Sequence, residues 1–371
     1  MPKPALRLPP LRLLANIALT FLVGGIGGVV FSWLHIPAGW LIGSMTMVAA
    51  AALAGRTMVI PRRLTQVIFI FIGVSLGAVV TPETLQGMGT WPLSVAVMVV
   101  AIAFISILSS GYLRYVHGWG TTASLLASAP GALSQVMVMA AELKLDMRAI
   151  AVVQTVRVMV ISVALPLGLT MLGLVSLDAP TVGGPFNPDL IGELAILIGV
   201  SAAAGVIFQR FHFPGGLLFG AMLCSGALHG SGLIHAVMPW WAVNAAMLAL
   251  GCVTGARFTN TSMRMFLNFL GAALGSLAVS VVVAALFIAI LVVGTELRVA
   301  DVSIAFAPGA VDVMMVLALA LSLDPVYIGA HHLARIVVIS LAIPIVSHWS
   351  MRHERLPPAP PPPVRKVPFD D

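Results

Sequence analysis

Ala129-Pro130-Gly131-Ala132 opens a stretch that occurs a second time as Ala307-Pro308-Gly309-Ala310, and the two copies run in register, without a gap, to Pro166 and Pro344. Of those 38 positions 17 are identical, so the chain carries an internal duplication. Asp146 matches Asp324, Arg157 matches Arg335 and Ser162 matches Ser340. A break, a cation and a proline recur together, which predicts that both copies build one site. Proline removes a backbone donor and glycine relaxes the chain, so each motif ends one short helix and begins another inside an apolar run. Non-helical backbone at membrane depth persists only where protein or a water-filled cavity surrounds it, so a broken segment implies a cavity.

The 371 residues are 60% hydrophobic and only 9% charged, with a mean hydropathy of +1.06. Ordinary soluble domains are roughly a quarter charged, which excludes a soluble reading. Apolar segments fall near residues 13 to 34, 37 to 54, 64 to 80, 92 to 113, 121 to 141 and 149 to 173, then 190 to 209, 214 to 230, 240 to 256, 266 to 293, 300 to 321 and 326 to 348. Many approach the 20 residues or so that cross a bilayer as helix. The first is read as a retained span, because Lys3, Arg7 and Arg12 precede it but no convincing cleavage site follows. The net charge of +6 belongs to short loops and predicts no direct contact with nucleic acid. Cys224 and Cys252 lie inside apolar runs and read as packing residues.

The duplication extends beyond the central block. Ile36-Pro37-Ala38-Gly39, Leu41, Gly43 and Met45 match Phe213-Pro214-Gly215-Gly216, Leu218, Gly220 and Met222, with His35 and His212 preceding them. Gly73 and Gly77 match Gly251 and Gly255. GxxxG spacing lets helix backbones approach closely in lipid, so these glycines predict helix packing. The expected organisation is a first membrane repeat over 1–178, a second over 186–350, and a disordered, proline-rich cytoplasmic tail over 351–371.

Charge in the loops orients the spans. Arg56, Arg62, Arg63, Arg114, Arg210, Arg257, Arg264, Arg352 and Arg355 mark basic connections, whereas Glu83 and the 178–189 loop have no neighbouring lysine or arginine. The positive-inside rule accommodates nearly all of them, with both termini cytoplasmic, if 121 to 141 and 300 to 321 each enter and return on one side. Five crossings per repeat then invert the second copy relative to the first. The fold class is thus an all-α polytopic membrane protein with two inverted repeats, each of about five spans plus one broken or re-entrant segment.

Candidate solute-binding residues are Pro130, Gly131, Ser134, Gln135 and Arg157 in the first copy and Pro308, Gly309, Asp312 and Arg335 in the second. Backbone N–H groups from 131 to 134 and 309 to 312 would point into the cavity and favour an anion. Arg335 lies deep in its segment and either serves the site or pairs with Asp312, whereas Arg157 is open to a snorkelling role at the cytoplasmic edge. Asp312, His331 and His332 are candidates for ion coupling, with one histidine expected to pack and the other to line the cavity. Asp146 and Asp324 should cap the helices that follow them. No catalytic residue, metal-ligand cluster or cofactor motif is defensible, so an enzyme is not expected.

The doubled [Ile/Phe]-Pro-x-Gly-x-Leu-x-Gly-x-Met and Ala-Pro-Gly-Ala-x4-Met-x2-Ala-x2-Leu-x2-Asp patterns, over 36–45 with 213–222 and 129–146 with 307–324, resemble the bacterial AbrB-duplication membrane protein family. The resemblance implies a bacterial inner-membrane protein of a group labelled AbrB-family regulators or ammonia monooxygenases. The expected function is secondary transport of a small, anionic solute by alternating access. A membrane regulator acting indirectly on gene expression is the alternative, and a membrane monooxygenase comes third. The bilayer and the solute are the expected partners, and a homo-oligomer is compatible.

Overall fold

The computed structural model describes residues 11–80, 91–131, 133–176 and 183–353, and its regular elements are all helices. The first repeat holds α1 (Leu11–Trp33), α2 (Gly39–Leu53), α3 (Arg62–Gly77), α4 (Trp91–His117), α5 (Thr121–Ser128), α6 (Leu133–Glu142) and α7 (Met147–Met171). The second holds α8 (Ile191–Arg210), α9 (Gly216–Gly230), α10 (Trp240–Gly255), α11 (Met263–Gly294), α12 (Val299–Phe306), α13 (Val311–Ala320) and α14 (Pro325–His353). The same seven-helix order repeats. Each segment expected from the sequence is present, and the two with the Pro-Gly motif are each split in two. The proline-rich stretch beyond His353 lies outside the described residues.

Among the described residues seven helices are long and apolar enough to cross a membrane. On α1, α4, α8 and α11 large apolar side chains such as Ile26, Phe104, Ile107, Ile196, Val282 and Leu286 are exposed, as a lipid-facing surface requires. By contrast α2 and α9 have 15 residues each and α3 has 16, which makes them about 23 Å long and shorter than the hydrocarbon core. Protein surrounds much of them. They pack between the repeats, α2 against α10 and α3 against α9.

Glycine makes that packing. A Cβ on Gly73 would collide with the Leu218 carbonyl, and one on Gly251 with the carbonyl of the equivalent Leu41. A Cβ on Gly255 would fall 2.5 Å from the Met45 carbonyl, while one on Gly77 would meet that of Met222. These contacts exchange partners between the repeats, as a local two-fold relation demands. The duplication also reaches the backbone. His35 and His212, both exposed, take left-handed φ values of 54° and 57°, and Lys144 and Ser322 take 55° and 54°.

The broken segments are hairpins. Asp301 at the start of α12 accepts a hydrogen bond from the Asp324 N–H, 2.9 Å away, at the far end of the turn after α13. The two ends of the second broken segment therefore meet. In both repeats the following helix runs parallel to the first half of its hairpin. Asp324 meets Asp301 and Arg335 meets Ala307, just as Gln154 meets Leu126 and Arg157 meets Ala129. Asp146 and Asp324 cap α7 and α14 as expected, each accepting two backbone N–H bonds of 2.9–3.2 Å in the first turn.

Candidate functional site

Each hairpin tip exposes the C-terminal carbonyls of its first half-helix, which have no partner within that helix. Arginine satisfies them. Arg157, on α7, donates from Nη1 to the Ser128 carbonyl at 3.0 Å and from Nη2 to the Ala129 carbonyl at 2.9 Å, with a longer bond to Ala127. On α14 Arg335 donates to the Ala307 and Gly309 carbonyls at 2.6 and 2.9 Å. Both arginines are fully buried, at 2% and 1% exposure, and Nε of each has no hydrogen-bond partner among the described residues. A cation against the negative end of a helix is favourable, so the duplicated arginine holds the duplicated break in shape.

The contacts decide between the alternatives open for the two arginines and correct one expectation. Arg157 does not snorkel at an edge; it is buried at the first hairpin tip, because the break brings carbonyls within its reach. Arg335 is not paired with Asp312, because its guanidinium is turned to the second tip instead. The Gly309 N–H does not wait for a ligand: it donates to the Ala307 carbonyl at 2.8 Å. The tips are also not identical, since Gly131 has a left-handed φ of 84° and Gly309 does not. The two tips are adjacent. A Cβ on Gly131 would fall 3.0 Å from Nη2 of Arg335, whose other contacts are to the second hairpin.

Between the tips opens a cavity of about 530 Å³, within the range of about 300–1,000 Å³ usual for small-molecule sites. The first repeat contributes Phe69, Gly131, Leu133, Gln135, Gln154, Thr155, Arg157 and Val158, and the second contributes Leu218, Phe219, Arg257, Asp312 and Ile336. It extends to Pro214 and Gly215 in the connection between α8 and α9. Of the residues singled out in the sequence, Gly131, Gln135, Arg157 and Asp312 reach its wall. Pro130, Pro308, Gly309 and Arg335 build the tips behind that wall, and the Ser134 side chain lies outside the described residues.

Neither histidine lines the cavity, although one was expected to. His331 is buried between α4 and α14, with Nε2 2.8 Å from Ser94 Oγ, Nδ1 2.8 Å from the Tyr327 carbonyl and its ring 4.1 Å from that of Tyr327. That arrangement saturates it. His332 is buried beside Arg335, in the position that Gln154 takes in the first repeat. Among the described residues no three or more His, Cys, Asp or Glu side chains converge as a metal site.

Arg257 is the cavity residue that the sequence reading left among the basic loops. It sits in a short 3-10 turn, Ala256–Phe258, directly after α10, and its Nη2 lies 3.5 Å from Oδ2 of Asp312. A signal for it does exist in the sequence. In the register that pairs Gly73 with Gly251, Arg257 stands where the first repeat has Val79, and Asp312 stands where it has Ser134. Two departures from the duplication carry opposite charges and come together.

The family model described as "Transition state regulatory protein AbrB" matches residues 40–351. The chain is 24% identical over 320 residues to "Putative regulator AbrB" of Escherichia coli (strain K12), covering 86% of this chain and 92% of that protein. It is 22% identical over 349 residues to "Uncharacterized protein YhjN" of Bacillus subtilis (strain 168), covering 87% and 90%. The family model runs from α2 into α14 and takes in both broken segments, which is most of the chain: this chain belongs to the AbrB family.

Proposed function

We propose that the protein is a secondary transporter of a bacterial inner membrane, moving a small anionic solute by alternating access. The observation that carries this is the cavity between the two hairpin tips. Its wall holds two arginines against one aspartate, so its charged side chains sum to one positive charge. An apolar-walled cavity strengthens the field of that excess charge. Hairpins that return to their own side leave five further helices per repeat, and an odd number of crossings inverts the second repeat relative to the first. On the positive-inside orientation the 214–215 connection and Arg257 are cytoplasmic, which makes this the inward-open state. The first hairpin then enters from the cytoplasm and the second from outside. Alternating access is movement of the hairpin pair, with α7 and α14, against α2, α3, α9 and α10.

Counterflow tests this. Full-length protein in liposomes preloaded with a cold organic anion should take up the labelled anion faster than empty liposomes, with saturation. Flux that never saturates would make it a channel, and no flux for any anion would remove transport. The family description and the name of the Escherichia coli relative favour a second reading, a membrane regulator acting on expression indirectly. Deleting 357–371 separates the two. A transporter keeps its flux, whereas a regulator that signals through the tail loses its phenotype.

A further inference from the structure

We propose that Arg257 receives the anionic group of the solute, that Asp312 is a tethered anion which the solute displaces, and that the solute is an organic monocarboxylate with an apolar body. The inference rests on the reading that this cavity binds an anion. Arg157 and Arg335 are poor receivers, because their terminal nitrogens are committed to the carbonyls of the hairpin tips. Arg257 is not committed. Its guanidinium makes one hydrogen bond, the long one to Asp312, and no other among the described residues.

Five N–H donors in a planar fork match a carboxylate at two points, so a single contact of 3.5 Å leaves most of that capacity unused. Both side chains of the pair remain partly exposed, Arg257 at 26% and Asp312 at 15%, so an incoming carboxylate can reach the guanidinium without unfolding anything. Asp312 already presents a carboxylate to that fork. A free carboxylate competes with it on equal chemical terms. The vacated Asp312 stays at the start of α13, where the helix dipole stabilises its charge.

The walls select the rest of the molecule. Phe69, Leu133, Val158, Leu218, Phe219 and Ile336 surround the charged pair with apolar surface. A phosphate or a tricarboxylate would bring two or more charges into a cavity whose lining offers one net positive charge. One carboxylate on an aliphatic or aromatic body fits both the charge and the walls. The exposed side-chain amide of Gln135 is a polar group of the lining that would orient it.

Thermal shift of the full-length, detergent-purified protein tests this, because binding to the native state raises the melting temperature. The probes are hexanoate and benzoate, the neutral hexanamide and benzamide, and inorganic phosphate and citrate. The two carboxylates should stabilise the wild type, and the amides should not. Asp312→Asn removes the competitor and should tighten carboxylate binding about fivefold, the scale of a partly exposed ion pair. Arg257→Gln should abolish the response. The double variant Arg257→Gln/Asp312→Asn, which leaves no lone charge and should fold like the wild type, must also be silent.

Weaker binding by Asp312→Asn, or a carboxylate response that survives in the double variant, overturns the inference and leaves an anion-binding cavity standing. Stabilisation by phosphate or citrate alone overturns the monocarboxylate class. If no anion stabilises the wild type or Asp312→Asn, the anion-site reading itself falls and takes this inference with it.

Discussion

At Gly131 the backbone is left-handed, and a Cβ there would fall 3.0 Å from the Arg335 guanidinium, close enough to press on it. Its counterpart Gly309 has ordinary φ, and an added Cβ there would meet the flexible end of Met314. The two glycines are identical in sequence context yet unequal in consequence. Gly131→Ala should cost about 1–2 kcal/mol through strain and displacement of Arg335. Gly309→Ala should cost less than about 1 kcal/mol. Melting temperatures of the two variants, in the same detergent, read the difference directly, and equal losses would mean that the left-handed tip is not what holds the first hairpin. The arginines teach the same lesson. An arginine at membrane depth suggests function, and here its terminal nitrogens serve the orphan carbonyls of a broken helix, a task the sequence could not assign because the carbonyls belong to another element.

The hairpin is the element on which the site depends. Eight residues of α12 and ten of α13 are too few to be stable alone, so tertiary contacts must hold them. One of those contacts closes the open end, from the Asp324 N–H to Asp301, and a flanking ion pair of 3.6 Å joins Asp301 to Arg298. Asp301→Ala leaves that N–H without its acceptor and should loosen the closure by about 1–2 kcal/mol. Asp301→Asn keeps an oxygen in place and should stay near wild type. Hydrogen exchange over 321–324 is the measurement: faster exchange in the alanine variant only is expected, and unchanged protection in both would show that closure is held elsewhere. Where the elements lie was legible, since the expected segments agree with the helices to within a few residues and the Pro-Gly motifs mark both breaks. The cavity was legible only in part. Gly131, Gln135, Arg157 and Asp312 stand out as departures from an apolar run, whereas Phe69, Phe219 and Gln154 look like any span residue until folding places them together.

For the whole molecule, inversion of the second repeat relative to the first would put the two hairpins on opposite sides of the membrane. Lys144 and Ser322 are equivalent, exposed and alike in backbone, so cysteines placed there form a matched pair once Cys224 and Cys252 have been replaced. With hairpins re-entering from opposite sides, Lys144→Cys should be labelled by an impermeant maleimide only from the cytoplasm and Ser322→Cys only from outside. Labelling of both from outside would mean that the broken segments cross.

The membrane class, the duplication and the two breaks were determined by the sequence itself, because hydropathy, repeats and Pro-Gly disruption are local properties that no folding partner can reverse. Tertiary structure alone decided which charge meets which. Arg335 could choose between Asp312 and the hairpin carbonyls, and Arg257 between solvent and Asp312. Such choices turn on distances across elements some 28 and 55 positions apart in the chain, which no pattern along the chain encodes.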